Sequence, residues 1–118
     1  MKKIIMIVLC FIMYSMGEQS NGIIDTDVSA GNLITEAKSL ASSGKYLEAS
    51  VSYKKAGNVY ASQAKEYKSK GLNSWTVLHV SAKECYSNAI DVLDSTSNSI
   101  ANYYKKNVEH RIADLESI

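Results

Sequence analysis

The stretch that decides the fold is residues 46–67, YLEASVSYKKAGNVYASQAKEY. Within it Tyr46, Ala49, Tyr53, Ala56, Tyr60, Ala64 and Tyr67 follow one another in steps of three or four, which places them along one face of an α-helix. The chain contains no Pro, so nothing in it forces such a helix to break. The spacing predicts one long helix over residues 45–70, ended by Gly71.

Upstream, Ala30, Leu33, Ile34, Ala37, Leu40 and Ala41 mark one face of a first helix over residues 27–43, with a stop at Ser42-Ser43-Gly44. Downstream, a third helix opens at the cap candidates Asn73 and Ser74. It carries Trp75, Leu78, Ala82, Tyr86, Ala89 and Leu93 and fades into residues 95–99. Ile100, Tyr104, Val108, Ile112 and Leu115 outline a fourth. No run of alternating polarity is bounded by a hairpin turn, so no sheet is expected. The expectation is an all-α domain over residues 27–118, about four helices in antiparallel hairpins, preceded by a flexible lead-in over residues 18–26.

Residues 1–17 have a different composition. Lys2-Lys3 precedes an uncharged apolar run over residues 4–16, and Ser15 and Gly17 supply small residues before Glu18, the order of a secretory signal peptide. All four Met and the single Phe fall in this part. As a helix the run would cover roughly 20 Å, short of the ~30 Å hydrocarbon core of a membrane. Cleavage after Gly17 is expected, with an uncleaved membrane anchor as the alternative. Cys10 does not make a lipoprotein site, because Leu9 occupies a position that calls for a small residue. The expected location is outside the cytoplasm, secreted or at the cell envelope, with residues 4–16 as the route to any membrane attachment.

Removing Lys2 and Lys3 turns the formal charge of +1 into −1, 11 basic against 12 acidic side chains. That balance gives no general attraction to nucleic acid or anionic lipid, and no nucleic-acid motif or Gly-rich phosphate loop is present. Only Cys85 would remain after cleavage, which excludes an intramolecular disulfide framework.

The apolar pattern repeats. Ala49, Tyr53 and Ala56 recur with the same spacing as Ala82, Tyr86 and Ala89. Ala37, Leu40 and Gly44 recur in the same way as Ala64, Tyr67 and Gly71. Small Ala residues allow close helix approach and Tyr fills the adjoining hole. Over residues 33–56, where Ala37, Leu40, Gly44, Tyr46, Glu48, Ala49, Tyr53 and Ala56 match its small, large and turn pattern, the sequence resembles the tetratricopeptide repeat family. Residues 64–89 match less well, and their lengthened middle is similar to the longer helices of vesicle-fusion adaptor proteins. The closing Pro of the motif is absent. The resemblance implies stacked helix pairs that grip a peptide, and a plain four-helix bundle is the alternative architecture.

Chemistry-bearing residues are scattered. His79, Glu84 and Cys85 share the third helix, but the step from His79 to Cys85 turns them about 120° apart, so they do not converge on one metal. His110 and Asp114 have the spacing of a surface ion pair. Asp91 and Asp94 sit near a helix end without a base. No nucleophile, base and orienting group stand at workable spacing, so neither an enzyme nor a metal or cofactor site is expected.

Two groups remain as candidates for binding a partner. The resemblance implies that Asn32, Glu36, Ser39 and Ser43, on the first helix, face a peptide groove, although the Lys/Asn clamp of the family's carboxylate-gripping members is missing. On the second helix Lys54, Lys65 and Lys68 fall within about 60° of one another around the axis and form a basic strip. The functional expectation is an exported interaction module or scaffold that docks a protein or peptide without catalysis. The competing expectation is a structural, envelope-associated bundle that associates with itself.

Overall fold

The computed structural model describes residues 22–118, with side chains from residue 29 onward. It consists of four α-helices with no strand among the described residues: α1 Gly22–Ser42, α2 Tyr46–Ser69, α3 Trp75–Leu93 and α4 Ala101–Glu116. The leader expected over residues 1–17 lies outside the described residues.

Helix α1 begins at Gly22 rather than at the expected Asp27, so residues 22–26 of the anticipated lead-in are helical. The other helix boundaries fall close to those expected.

The echo of residues 37–44 in residues 64–71 has a local physical cause. At the end of α1 the Lys45 N–H donates to the Leu40 carbonyl (2.9 Å) and the Gly44 N–H to the Ala41 carbonyl (3.0 Å), with Gly44 at φ 81°. At the end of α2 the Leu72 N–H donates to Tyr67 (3.0 Å) and the Gly71 N–H to Lys68 (3.0 Å), with Gly71 at φ 74°. Both are Schellman stops, in which a left-handed residue turns the chain back over the last carbonyls, and Gly adopts that backbone without strain.

The start of α3 is built differently from the expectation. Ser74 occupies the cap position but makes no side-chain capping bond. Its backbone already lies in the right-handed helical region, unlike the extended backbone that side-chain capping needs. A tight turn leads in instead, with Trp75, Thr76 and Val77 donating to the carbonyls three residues back. Between α3 and α4 the Ile100 N–H donates to Asn98 Oδ1 (3.0 Å), a side-chain turn that re-aims the chain.

Helix α2 lies at the centre, flanked by α1 and α3, while α4 packs on α3 and more lightly on α2. The assembly measures 44 × 33 × 19 Å. Eight of the fourteen buried apolar residues among those described are Ala, so the core is thin and depends on close backbone approach. One cluster gathers Ala37, Tyr53, Ala82, Tyr86, Ala89, Val108 and Leu115, and a second Ala30, Ala56 and Cys85. Gly57 sets the tightest contact: a Cβ built there would lie 2.5 Å from the Tyr86 ring.

Candidate functional site

Ala37, Ala49, Tyr53, Ala56, Ala64, Ala82, Tyr86 and Ala89 are all buried, whereas Leu40 and Tyr67 are half-buried and Gly44 and Gly71 are exposed at the turns. The burial of α2's small residues has a consequence on its other side. Where α2 presents Ala and Gly it touches α1 and α3, but toward α4 it presents Ser50, Lys54, Asn58, Ser62 and Lys65. There the helices stand apart and leave a furrow with two cavities.

The upper cavity, about 240 Å³, is lined by Ser50, Val51 and Lys54 of α2 and by Tyr103, Tyr104, Asn107 and Val108 of α4. The lower one, about 310 Å³, is lined by Asn58, Ala61, Ser62 and Lys65 of α2, by Tyr86 of α3, and by Arg111, Asp114, Leu115 and Ile118. Both stretches of α2 and α4 run in the same direction. From residue 50 to residue 65 the furrow follows α2 for about 22 Å at 1.5 Å per residue.

A hydrogen bond spans the furrow between the cavities: Lys54 Nζ donates to Asn107 Oδ1 (2.9 Å). The half-buried ammonium of Lys54 is pushed below the ordinary lysine value, first by its burial and then by Arg111 and Lys55. At the floor of the lower cavity the Tyr86 hydroxyl donates to Asn58 Oδ1 (2.6 Å). Burial pushes that phenol up to about 12, partly offset by the Arg111 charge.

Two of the three lysines of the basic strip, Lys54 and Lys65, line the α2 side of this furrow, and Lys68 lies beyond its end. Lys54 bridges to α4 and Lys65 is exposed in the lower cavity. Lys68 donates to the Ile118 carbonyl and lies 4.5 Å above the Trp75 ring. Asn32, Glu36 and Ser39 form an exposed strip on α1, Ser43 is exposed in the turn after it, and neither cavity includes them. Sequence reasoning missed Asn58, Tyr103, Tyr104, Arg111 and Asp114 as members of a shared site. Their signal was the polar face of α2 opposite its Ala stripe, but which helix would face it is a long-range property.

The remaining chemistry-bearing groups have structural partners. His79 Nε2 lies 3.2 Å from the Leu115 carbonyl, and its ring meets Trp75 edge-on at 5.7 Å. Cys85 is buried, and burial followed by the Glu84 charge pushes its thiol up to about 11. The ion pairs among the described residues are Lys70–Glu66, Lys83–Glu116 and Lys105–Asp94. The expected His110–Asp114 pair is not one of them, and Asp114 lines the lower cavity. No group of three or more His, Cys, Asp or Glu among the described residues could hold a metal ion. No described helix is long and apolar enough to cross a membrane.

Over the described residues these features define an all-α fold of four helices with an open furrow between the second and the fourth. Comparison with protein-family models, with curated proteins and with solved structures gives no match to this chain in any of the three.

Proposed function

We propose that this chain is a non-catalytic protein-interaction module, exported by the leader over residues 1–17 and built on tetratricopeptide-like helical hairpins, which docks a partner protein along the α2–α4 furrow. The observation that carries this reading is the furrow itself. Two cavities in line, one bordered by Tyr103 and Tyr104 and the other by Lys65 and Arg111, offer an apolar and a charged contact to one extended segment. Recognition surfaces commonly combine aromatic and Arg anchors in this way. The repeated Schellman stops and Ala-lined seams support the hairpin architecture.

A second reading has one observation in its favour. Val77 and Val80, 66% and 63% exposed, lie a turn apart on the outer face of α3 and give a self-associating bundle a small apolar contact.

Site-specific photo-cross-linking in cells tests the choice. A photoreactive residue at Ser62, in the furrow, is expected to give one defined adduct with a different protein, whereas one at Glu36 on the α1 strip gives none. An adduct at twice the chain mass, strongest from Val77 or Val80, would establish self-association instead. Cross-linking from Glu36 alone would move the docking face to α1.

A further inference from the structure

The upper cavity holds a cation whose partner in the fold is neutral. Lys54 lines it and donates to Asn107 Oδ1 (2.9 Å) on the facing helix. Neither Asp nor Glu is among the lining residues, and Lys54 belongs to none of the ion pairs of the described residues. Asp114 and the last residue, Ile118, line the lower cavity instead. The charges that act on the Lys54 ammonium are those of Arg111 and Lys55, both cations, which add to burial in lowering its pKa. A half-buried ammonium in such a field is stabilised by an anion beside it.

The same hydrogen bond fixes which groups would meet that anion. A lysine can only donate, so the Asn107 amide turns its oxygen to Nζ and keeps both of its own N–H donors. The ammonium has three N–H groups, and Asn107 takes one of them. Two adjoining side chains therefore have donors to spare, in a lining without a charged acceptor. The other walls are mostly apolar or aromatic: Val51, Val108 and the rings of Tyr103 and Tyr104, which stand 6.2 Å apart and tilted by 58°. One positive charge calls for one negative charge, and such walls call for a carbon body. The volume, about 240 Å³, falls below the ~300–1,000 Å³ of drug-sized sites and suits a molecule of one ring. We propose that the upper cavity binds a small organic monocarboxylate, its carboxylate on Lys54 Nζ and Asn107 Nδ2 and its ring or short branched chain against Tyr103, Tyr104 and Val51. This ligand site goes beyond the docking function and needs no docked partner.

The test titrates the full chain, isotope-labelled, with sodium phenylacetate. Saturable shifts are expected in the amide resonances of Ser50, Val51, Lys54, Tyr104 and Asn107, with a Kd of about 1 mM or tighter. Phenylacetamide keeps the ring without the charge and acetate keeps the charge without the ring, and each should bind about tenfold or more weakly. Bound phenylacetate should also raise the Lys54 pKa back toward the ordinary lysine value, read from its Cε resonance against pH, because an adjacent anion favours the charged amine. Lys54→Met should lose about tenfold or more in affinity. Asn107→Asp places a carboxylate of the same size opposite Lys54, so binding should be lost while the melting temperature holds or rises, a split that a poorly folded variant would not give. Equal binding of phenylacetamide overturns the proposal, as does undiminished binding to Asn107→Asp. Equal binding of acetate, or shifts of the same size at Lys65, Lys68 and Lys106, would reduce the effect to a general attraction of anions to a basic surface and overturn it as well.

Discussion

Helix α2 meets two neighbours, α3 and α4, in opposite ways. Its seam with α3 is closed by small residues: Ala56 is buried in one cluster with Cys85, and Gly57 lies directly under the Tyr86 ring. Its seam with α4 is held open by Lys54, Asn58 and Lys65 and is crossed between the cavities by the Lys54–Asn107 hydrogen bond. Helix α4 stays in place mainly through α3, by way of buried Val108 and Leu115, the Lys83–Glu116 and Lys105–Asp94 pairs and the His79 contact to Leu115. One helix thus separates the two, with close packing on its Ala/Gly face and the open furrow on its polar one. Close packing and an accessible site compete for the same surface, and here they lie on different sides of α2.

The sharpest way to break this contrast is at the closed seam. Tyr86→Ala removes the largest fully buried side chain and should lower unfolding free energy by about 3–5 kcal/mol. Gly57→Ala would gain roughly 1 kcal/mol from helix propensity. It forces a methyl against the ring, however, and overpacking at about 1–3 kcal/mol makes the net change destabilising. In a Tyr86→Ala background the clash is gone, and Gly57→Ala should become neutral or stabilising. Urea denaturation of the two single variants and the double variant gives the coupling. Additive effects would show that the seam is not closed at Gly57.

How much of this was legible in the sequence differs between the two faces of α2. The Ala/Tyr stripe marks the closed face because helical periodicity is local and the residues that bury are small. The echo of residues 37–44 in residues 64–71 is explained as one helix-stop geometry used twice, since both copies place Gly at the left-handed position. The helix count and most boundaries followed from the same local signals. Gly57 was silent because its role depends on Tyr86, on the next helix, coming within contact. The open face was read only as a basic strip. Its partners Arg111 and Asp114 lie two helices further along the chain, and the side of α3 on which α4 settles is set by packing that no periodicity encodes.

Two ionisable groups buried at the closed seam predict a response to alkali. The Cys85 thiol titrates near 11 rather than 9.0 and the Tyr86 phenol near 12 rather than 10.0, in both cases chiefly through burial. Each folded pKa is raised, so the folded state holds protons that the unfolded chain releases. Their contribution is fully present below about pH 9 and is lost as pH rises through 11 to 12. Melting temperature should therefore fall across that window, and Cys85→Ala should remove its lower part. The same burial makes the thiol inert: iodoacetamide at pH 8 should leave native Cys85 unmodified and label it after denaturation. Rapid labelling of the native chain would show that the seam opens.

The smallest effect is expected where the furrow is bridged. Lys54 reaches Asn107 only by giving up hydration of its ammonium, and its lowered pKa records that burial together with repulsion from Arg111 and Lys55. A charged group in that position contributes little net stability, because the hydrogen bond offsets a desolvation cost that the unfolded chain does not bear. Lys54→Met keeps the aliphatic stem and removes the charge, and it should change unfolding free energy by no more than about 1 kcal/mol in either direction. The sign with pH is also fixed: a lysine whose folded pKa is depressed makes the native state gain stability as pH rises toward 10.5, opposite to Cys85 and Tyr86, and the variant should lose that rise. A cost of more than about 2 kcal/mol would place the α2–α4 seam in the same energetic class as the α2–α3 seam. The bridge would then be a structural tie, and a partner segment could not open it at the modest cost that docking along the furrow requires.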